Sequence, residues 1–361
     1  MSVQADASRG RVDGIRLAER IKQWGRELGF QALGIAGVDL SAAEPRLLEW
    51  LARGFHGEMD YMARHGARRA RPAELVSGTV SVITARLDYR DPQARDSAAV
   101  LADADRAYVS RYALGRDYHK VLRQRLEHLA QRIQAAVEPF AYRVFTDSAP
   151  VMEVELARQA GLGWRGKHTL LLSRDAGSYY FLGEIFTDLP LPPDQPVGEH
   201  CGSCTRCLDV CPTQAIVAPY LLDATRCVSY LTIEHRGAIP EQFRAAIGNR
   251  VYGCDDCQLV CPWNKYARPS AEPDFAVRNG LDDATLADLF GWTREQFETR
   301  LAGSAIRRIG YERWLRNLAT GLGNARDRAR AVAALRARLD DPSALVREHV
   351  AWALARHGER A

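Results

Sequence analysis

The eight cysteines of the chain all lie between positions 201 and 261, and their spacing suits iron–sulfur chemistry. The first four follow C-x2-C-x2-C-x3-C and precede Pro212, whereas the last three follow C-x2-C-x3-C and precede Pro262. The first spacing is a ligand pattern for [4Fe–4S] clusters in which the fourth cysteine ligates a second cluster. Such clusters carry single electrons, so the rest of the chain should house the group that receives them.

The second cysteine run lacks its first member, because Val251 stands where that cysteine would lie. Cys227 is the one cysteine outside both runs, and two [4Fe–4S] clusters need eight thiolates, which is the number present. With the last cysteine of each run exchanged between clusters, the ligands divide into two sets. The first set is Cys201, Cys204, Cys207 and Cys261, and the second set is Cys211, Cys227, Cys254 and Cys257.

Zinc and disulfide bonds are the alternative uses of these cysteines. Zinc sites also contain C-x2-C pairs, but a tight run of four cysteines that ends in Cys-Pro fits tetrahedral zinc poorly. Disulfide bonds need an oxidising compartment. Residues 1–14 are polar and charged, without the apolar core of a signal peptide. We therefore expect a cytoplasmic protein that carries two [4Fe–4S] clusters.

The charge of the chain is unevenly distributed. The formal net charge is +4, but residues 294–361 alone contain 14 Arg against 8 Asp or Glu. This local excess indicates a polyanionic partner such as nucleic acid. A general preference for arginine explains it equally well, since the chain has only 4 Lys among its 49 basic residues. No run of 18 apolar residues predicts a membrane span.

Apolar periodicity predicts alternating helices and strands before the cysteines, which is typical of an α/β or α+β core. Predicted helices cover 15–30, 46–53, 118–137 and 151–159, and predicted strands cover 32–38, 80–87, 106–112 and 142–145. A hairpin around Asp175-Ala176-Gly177 would join strands at 169–173 and 179–186. A proline-rich linker at 189–198 would connect this core, residues 1–198, to a ferredoxin-like two-cluster domain at 199–265.

Residues 266–361 form a predicted helical region, with helices at 311–323, 327–339 and 343–356. The segments NLATGLGNA and REHVAWALARHG are similar to the small, alanine-rich inner helices of HEAT-type repeats. An ordinary helical subdomain explains the same pattern almost as well.

Asp147 is a candidate catalytic residue, because it ends a predicted strand before a helix, where catalytic groups of α/β domains gather. Capping of that helix is an equally good explanation of its position. Gly161, Gly163 and Gly166 follow the spacing G-x-G-x-x-G, but they follow a helix rather than a strand, so a dinucleotide site is not expected.

Several segments resemble the epoxyqueuosine reductase family from about Ile15 to the C-terminal repeats. They are HGEMDYMARH (56–65), RYALGRDYHK (111–120), TDSAPVMEVELARQAGLGWRGKHTLL (from 146), CGSCTRCLDVCPTQAI (201–216), RCVSYLTIEHRG (226–237) and GCDDCQLVCPWNK (253–265). The last segment is the most specific, since it contains the run without its first cysteine. The resemblance implies a cobalamin-dependent enzyme with two [4Fe–4S] clusters that removes the epoxide oxygen of epoxyqueuosine at the wobble position of tRNA.

The resemblance also implies that Asp147 donates the proton, for which burial against the corrin should raise its pKa toward neutrality. The lower-ligand motif D-x-H-x-x-G is absent, because Leu122 stands at the glycine position after Asp117-Tyr118-His119. We therefore expect cob(II)alamin without a histidine lower ligand. The candidate cobalamin contacts are Met62, Tyr112, His119, Asp147, Leu171, Leu182, Lys167 and Ser229.

The expected partners are tRNA carrying epoxyqueuosine and an electron donor of the flavodoxin or ferredoxin type, and the protein is expected to be a monomer. The candidate phosphate contacts are Arg307, Arg308, Arg313 and Arg316. One alternative is a corrinoid iron–sulfur reductase of a small molecule, like the related reductive dehalogenases, although those normally carry a twin-arginine export signal. Another is a plain electron-transfer ferredoxin fused to a binding domain, which leaves Asp147 without a purpose.

Overall fold

The computed structural model describes residues 2–137 and 139–360, with side chains from residue 14 onward. Its strands are β1 (Ala32–Ala36), β2 (Ser81–Asp88), β3 (Tyr108–Val109), β4 (Tyr142–Thr146), β5 (Trp164–Arg165), β6 (Leu171–Leu172), β7 (Tyr180–Thr187), β8 (Ile216–Ala218), β9 (Leu221–Leu222) and β10 (Arg250–Tyr252).

The helices surround these strands and continue beyond them. The α-helices are α1 (Ser2–Glu27), α2 (Glu44–Ala52), α3 (Asp60–Arg64), α4 (Pro72–Leu75), α5 (Ser97–Ala102), α6 (Tyr118–Gln134), α7 (Glu153–Gln159), α8 (Arg206–Asp209), α9 (Val228–Ile233), α10 (Glu241–Ile247), α11 (Asp256–Leu259), α12 (Leu286–Phe290), α13 (Arg294–Arg300), α14 (Gly310–Leu322), α15 (Arg328–Arg336) and α16 (Ala344–Arg356). Single 3-10 turns lie at Gly66–Ala70, Arg111–Ala113, Ala224–Arg226, Pro262–Tyr266, Pro273–Phe275 and Ala305–Ile309.

A four-stranded antiparallel sheet in the order β1-β2-β7-β4 forms the centre of the first half. Successive side chains of a strand point to opposite faces, and every residue of β2 is buried because both faces are covered. Ile83 and Leu87 pack with α1 and α6 on one face. Val82 packs with α7 on the other face, where Thr84 and Arg86 are also buried. The predicted α/β core is thus confirmed.

The hairpin predicted around Asp175 is wrong. Strand β7 pairs with β2 and β4, while β6 pairs with β5, and only an isolated bridge joins Ser173 to Gly177. The reason lies in β2, where the buried Arg86 guanidinium donates to Ser173 Oγ and Asp175 Oδ1, both at 3.0 Å. These bonds hold the turn against β2, which leaves β7 free to pair with strands that are distant in sequence.

The strand predicted at 106–112 is shorter than expected. Tyr108–Val109 pairs in parallel with β10 rather than joining the central sheet, and Arg111–Ala113 forms a 3-10 turn. The ladder stops because the Arg111 backbone N–H donates to Asp255 Oδ2 at 2.8 Å instead of to a neighbouring strand. Asp255 thereby joins the core to the cysteine segment.

The C-terminal helices pack directly on the cysteine segment. Val251 and Tyr252 of β10 belong to one apolar cluster with Trp314 and Leu318 of α14, and all four side chains are fully or almost fully buried. The helices predicted at 311–323, 327–339 and 343–356 are confirmed as α14, α15 and α16. The HEAT-like character and the division at residues 198 and 265 stay predictions. In the described part of the chain, no helix is long and apolar enough to cross a membrane.

Candidate active site

A cavity of about 690 Å³ lies where the central sheet, the start of α6 and the cysteine segment meet. Tyr180 and Phe181 of β7 line one side, and α9 lines another. Helix α6 begins at the cavity because Asp117 caps it, accepting a hydrogen bond from the His119 backbone N–H at 3.0 Å. The cap brings Tyr118 and His119 of the first turn to the cavity wall. An apolar, aromatic lining with a few polar groups is typical of a cofactor site.

The cysteines divide between two cavities in the sets that their spacing predicts. Those that line the large cavity are Cys211, Cys227, Cys254 and Cys257. Those that line a second cavity of about 270 Å³ are Cys201, Cys204, Cys207 and Cys261. In the ranges 2–137 and 139–360, no three His, Cys, Asp or Glu side chains converge closely enough to hold a single metal ion. Each four-cysteine set instead faces an open volume.

The fold explains why the second cysteine run lacks its first member. Val251 is fully buried in β10, within the apolar cluster shared with the C-terminal helices, so a thiolate there would point away from the cavity. The fourth cysteine of the set, Cys227, comes from a different element: it occupies the N-cap position of α9 and lines the large cavity.

Asp147 follows β4 directly and faces the same cavity. Its φ of 32° lies in the left-handed region that side chains other than glycine rarely adopt. The Tyr118 hydroxyl donates to Asp147 Oδ2, and His119 Nε2 lies 3.4 Å from the same oxygen. The N-cap of α7 is Met152 rather than Asp147, so the helix-capping alternative is wrong.

The His119 ring is held at both nitrogens. Nδ1 donates to Asp117 Oδ1 at 2.7 Å, while Nε2 faces Asp147. Burial opposes a charged imidazole, but the carboxylates of Asp117 and Asp147 outweigh it and raise the pKa of His119 to about 9. The ring is therefore an imidazolium at neutral pH.

The rise in the pKa of Asp147 expected from burial against the corrin stays a prediction, whereas in the protein alone this pKa is lowered. Burial acts to raise this pKa, but hydrogen bonds from His119 and Tyr118 lower it below its ordinary value. About half of the Asp147 side chain, 51%, is exposed toward the cavity, so water still stabilises its charge. The proton of the pair thus lies on His119, with Asp147 as its ionised neighbour.

Comparison with known proteins gives the family. The chain is 62% identical to the epoxyqueuosine reductase of Burkholderia pseudomallei (strain K96243), over 96% of this chain and 95% of that protein. It is 54% identical to the epoxyqueuosine reductase of Escherichia coli (strain K12), over 96% of this chain and 90% of that protein. The chain belongs to the epoxyqueuosine reductase family.

Two family models match the segments that form the cavities. The model described as "Epoxyqueuosine reductase QueG, DUF1730" matches residues 69–148, and a 4Fe-4S double cluster binding domain matches residues 200–264. The second match contains all eight cysteines and confirms the predicted iron–sulfur segment.

Solved structures of epoxyqueuosine reductases share the whole fold. One was crystallised with an epoxyqueuosine-modified tRNA-Tyr stem loop; it has a TM-score of 0.87 and 30% identity, over 95% of this chain and 91% of that one. The Bacillus subtilis enzyme, in which a catalytic loop that carries an aspartate has swung out of the active site, has a TM-score of 0.86 and 29% identity, over 95% of this chain and 90% of that one.

Among the predicted cobalamin contacts of this epoxyqueuosine reductase, only some line the large cavity. Those that do are Tyr112, His119, Asp147 and Ser229, and those that do not are Met62, Leu171, Leu182 and Lys167. Leu171 is buried in the apolar cluster under α7, and Leu182 packs against that cluster. Lys167 Nζ donates to the carbonyls of Gly202 and Cys204, beside the first cysteine set. Met59 and Tyr61 line the cavity in place of Met62.

The predicted phosphate contacts divide by burial. The predicted phosphate contact of Arg316 is wrong, because this side chain is fully buried and donates to the carbonyls of Leu231, His235 and Gly237. Arg313 is only partly exposed, and its guanidinium donates to the carbonyl of Ile309, just before α14, and to that of Ile233 in α9.

The other two predicted contacts lie at the surface. Arg307 is exposed, and Arg308 is exposed beside the large cavity, where it pairs with Glu234. The amino-acid composition shows how many arginines a segment contains, but it does not show which guanidinium groups are buried and which are exposed.

Sequence reasoning did not select Tyr118, which contacts Asp147 most directly. Its ring stacks on Phe181 with 4.0 Å between centroids, and burial raises the pKa of its phenol well above the ordinary value. The available signal was its place next to His119 after the capping Asp117. Composition alone did not distinguish Tyr118 from the solvated residues that commonly begin a helix.

Proposed function

We propose that this chain reduces epoxyqueuosine to queuosine at the wobble position of tRNA anticodons, with cobalamin in the large cavity and two [4Fe–4S] clusters on the cysteines. The observation that carries the proposal is the single cavity faced by both Asp147 and the second cysteine set. This arrangement brings a proton source and an electron source to one site. Family membership and the relative crystallised with an epoxyqueuosine-modified stem loop support the choice of substrate.

The lining of the large cavity suits the corrin ring of cobalamin, because aromatic side chains and a few polar groups face one open volume of about 690 Å³. The rings of Tyr112 and Phe181 would pack against the corrin, and the hydroxyl of Ser229 would meet its polar edge. Bound cobalamin supplies a low-valent cobalt that can attack carbon. The second cysteine set would hold the cluster next to this site, and the first set would hold the cluster farther out.

His119 is poorly suited to serve as a lower ligand of cobalt. A ligating imidazole must be neutral and must offer a free nitrogen lone pair. His119 is protonated at neutral pH, and its two nitrogens face Asp117 and Asp147. We therefore retain the expectation of cob(II)alamin without a histidine ligand.

Asp147 and His119 together would deliver a proton to the epoxide oxygen. An apolar group in the cavity would remove water from the half-exposed Asp147 carboxyl, and burial raises a carboxyl pKa. The His119 imidazolium, 3.4 Å away, can then pass its proton to Asp147. The Tyr118 hydroxyl fixes the carboxyl by donating to Oδ2.

Electrons would enter from the surface beside the first cysteine set. Three of its four cysteines are partly exposed, and the exposed Arg206 and Lys265 border the same cavity. Two exposed cations beside a redox centre suit an acidic electron donor of the flavodoxin or ferredoxin type.

Anaerobic turnover tests the proposed function. Protein supplied with cobalamin, a strong chemical reductant and epoxyqueuosine-containing tRNA should form queuosine, and omission of cobalamin should abolish the product. Electron paramagnetic resonance of the loaded Co(II) protein should show no nitrogen splitting from an imidazole. Full activity without any corrinoid would contradict the proposal.

Arg307 and Arg308 should contribute to tRNA binding. Replacing both by Gln should reduce the slope of log affinity against log salt by about 1.4–1.8, because two phosphate contacts are lost. Binding of the stem loop at several salt concentrations measures the slope. Arg328 and Arg336, which share Glu359, provide the matched control pair. An unchanged slope in the Arg307/Arg308 variant would assign these two residues a local structural role.

A further inference from the structure

A surface groove of about 490 Å³ next to the first cysteine set carries positive charge. Its lining includes Arg90, Arg111, Arg206 and Lys265, and we call it the cationic groove. Arg90 lies two residues after β2 and Arg111 two residues after β3. Arg206 and Lys265 belong to the cysteine segment itself. The ends of two core strands thus place further cations beside the redox segment.

Neighbouring carboxylates do not neutralise the cationic groove. Among the residues whose side chains the structure describes, none forms a salt bridge with the four cations. The guanidinium groups of Arg90 and Arg111 donate to neutral backbone carbonyls, at 3.4 and 3.1 Å. Asp96 also lines the groove, but its carboxylate caps α5 by accepting from the Ala99 backbone N–H at 2.9 Å. The groove therefore keeps a net positive charge, which attracts an anionic surface.

The cationic groove and the first cysteine set share a wall. Cys261 and Pro262 line both the groove and the cavity of about 270 Å³ that the first set faces. Arg206 and Lys265 also line both, so two of the cations stand at the edge of the proposed cluster site. An electron that enters from the groove therefore reaches the first set by crossing the Cys261–Pro262 segment.

The surface beside the groove has the composition of a protein interface. Tyr266 is exposed, and the Lys265 Nζ lies 4.7 Å from the centroid of its ring. Arg206 and Pro262 are exposed on the same surface. Exposed tyrosine and arginine together are typical of surfaces that bind another protein. The groove thus suits a protein that presents an acidic face.

The groove is separate from the cavity proposed for cobalamin and the tRNA wobble base. Among the described residues, none lines both the cationic groove and the large cavity. Arg308, the exposed candidate for phosphate contact, lines the large cavity and not the groove. A protein bound at the groove would therefore leave the tRNA site open.

We propose that the cationic groove docks the acidic face of a one-electron donor protein of the flavodoxin or ferredoxin type, and that electrons enter across Cys261 while tRNA occupies the large cavity. Such docking rests on the proposed function, because only a reductive reaction needs the donor. Each turnover consumes two electrons and two protons. The epoxide oxygen leaves as water, a carbon–carbon double bond forms, and two reduced donor molecules are each oxidised by one electron.

Arg206→Gln/Lys265→Gln tests the docking, because both side chains are exposed and the variant loses two cations of the groove. Anaerobic stopped-flow absorbance of the reconstituted protein measures its reduction by reduced flavodoxin and, separately, by reduced methyl viologen, a small cation that needs no docking surface. The ratio of the two rate constants should fall by a factor on the order of ten at low salt, and the flavodoxin rate should depend less on salt. Arg90→Gln should lower the ratio in the same direction, although Arg90 does not line the cavity of the first set.

Arg123→Gln/Arg143→Gln is the matched control for the loss of two charges. Both arginines are exposed, and neither lines the groove or the cavity of the first set. This variant should keep the wild-type ratio of rate constants. In the wild type, addition of the tRNA stem loop should leave the rate of reduction by flavodoxin unchanged, because the two partners bind at different sites.

The reduction rates decide the docking independently of turnover. A wild-type ratio in both Arg206→Gln/Lys265→Gln and Arg90→Gln would overturn the docking site. Weaker stem-loop binding by Arg206→Gln/Lys265→Gln would assign the groove to tRNA and would also overturn it. Slower reduction of the wild type in the presence of the stem loop would contradict simultaneous binding. Failure of the wild type to form queuosine with either reductant would instead refute the proposed function.

Discussion

Replacing Asp147 by Asn should lower turnover by a factor on the order of 100 to 10,000, because an amide cannot donate a carboxylic proton. The fold should be preserved, since Asn keeps an oxygen at the position that accepts the Tyr118 hydrogen bond. Steady-state formation of queuosine in an epoxyqueuosine-containing stem loop measures the effect, and cobalamin and iron contents measured on the same sample show that the cofactors remain bound.

Asp327→Asn is a suitable control for Asp147→Asn. Asp327 caps α15, and Asn is about as good a cap as Asp, so this variant should retain wild-type activity. Wild-type turnover in Asp147→Asn would mean that another group protonates the leaving oxygen, and His119 would be the next candidate.

Cys227→Ala should reduce the iron content by about half and abolish turnover. One of two clusters loses a thiolate, and the affected set is the one that lines the large cavity. The first cysteine set should keep its cluster, because none of its members changes. Iron and sulfide analysis, together with the spectrum of the remaining cluster, measures the result.

Ser203→Ala is the control for Cys227→Ala. Ser203 is exposed within the first cysteine run, so its replacement should leave iron content and activity unchanged. Full iron content in Cys227→Ala would show that Cys227 is not a ligand, and the division of eight cysteines into two sets of four would be incorrect.

The features that could be predicted from the sequence are those in which local spacing determines the structure. The two cysteine sets follow from spacing within 61 residues and from the missing first cysteine at Val251. Helices α6 and α14–α16 could be predicted from apolar periodicity and from capping residues. In each of these cases, neighbours along the chain are also the physical cause of the structure.

The features that could not be predicted depend on contacts between distant residues. Nothing near Asp175 shows that Arg86 will hold its turn against β2, so the hairpin was a reasonable but wrong prediction. Arg316 is one of many similar arginines, and only the tertiary structure buries it under the carbonyls of α9 and the following loop. The pKa of Asp147 depended in the same way on its distance from His119.

The position of Arg316 and Asn317 also has a consequence for how the protein is made. Their side chains donate hydrogen bonds to backbone carbonyls of α9 and β10. Cys227 lies directly before α9, and Cys254 lies two residues after β10. Asn317 follows Cys261 by 56 residues, so it is synthesised roughly 3–11 s after the last cysteine at about 5–20 residues per second. During that interval the cysteines are already synthesised but the helix that fixes their geometry is not. The backbone contacts that hold the cysteine segment are therefore complete only after α14 has been synthesised.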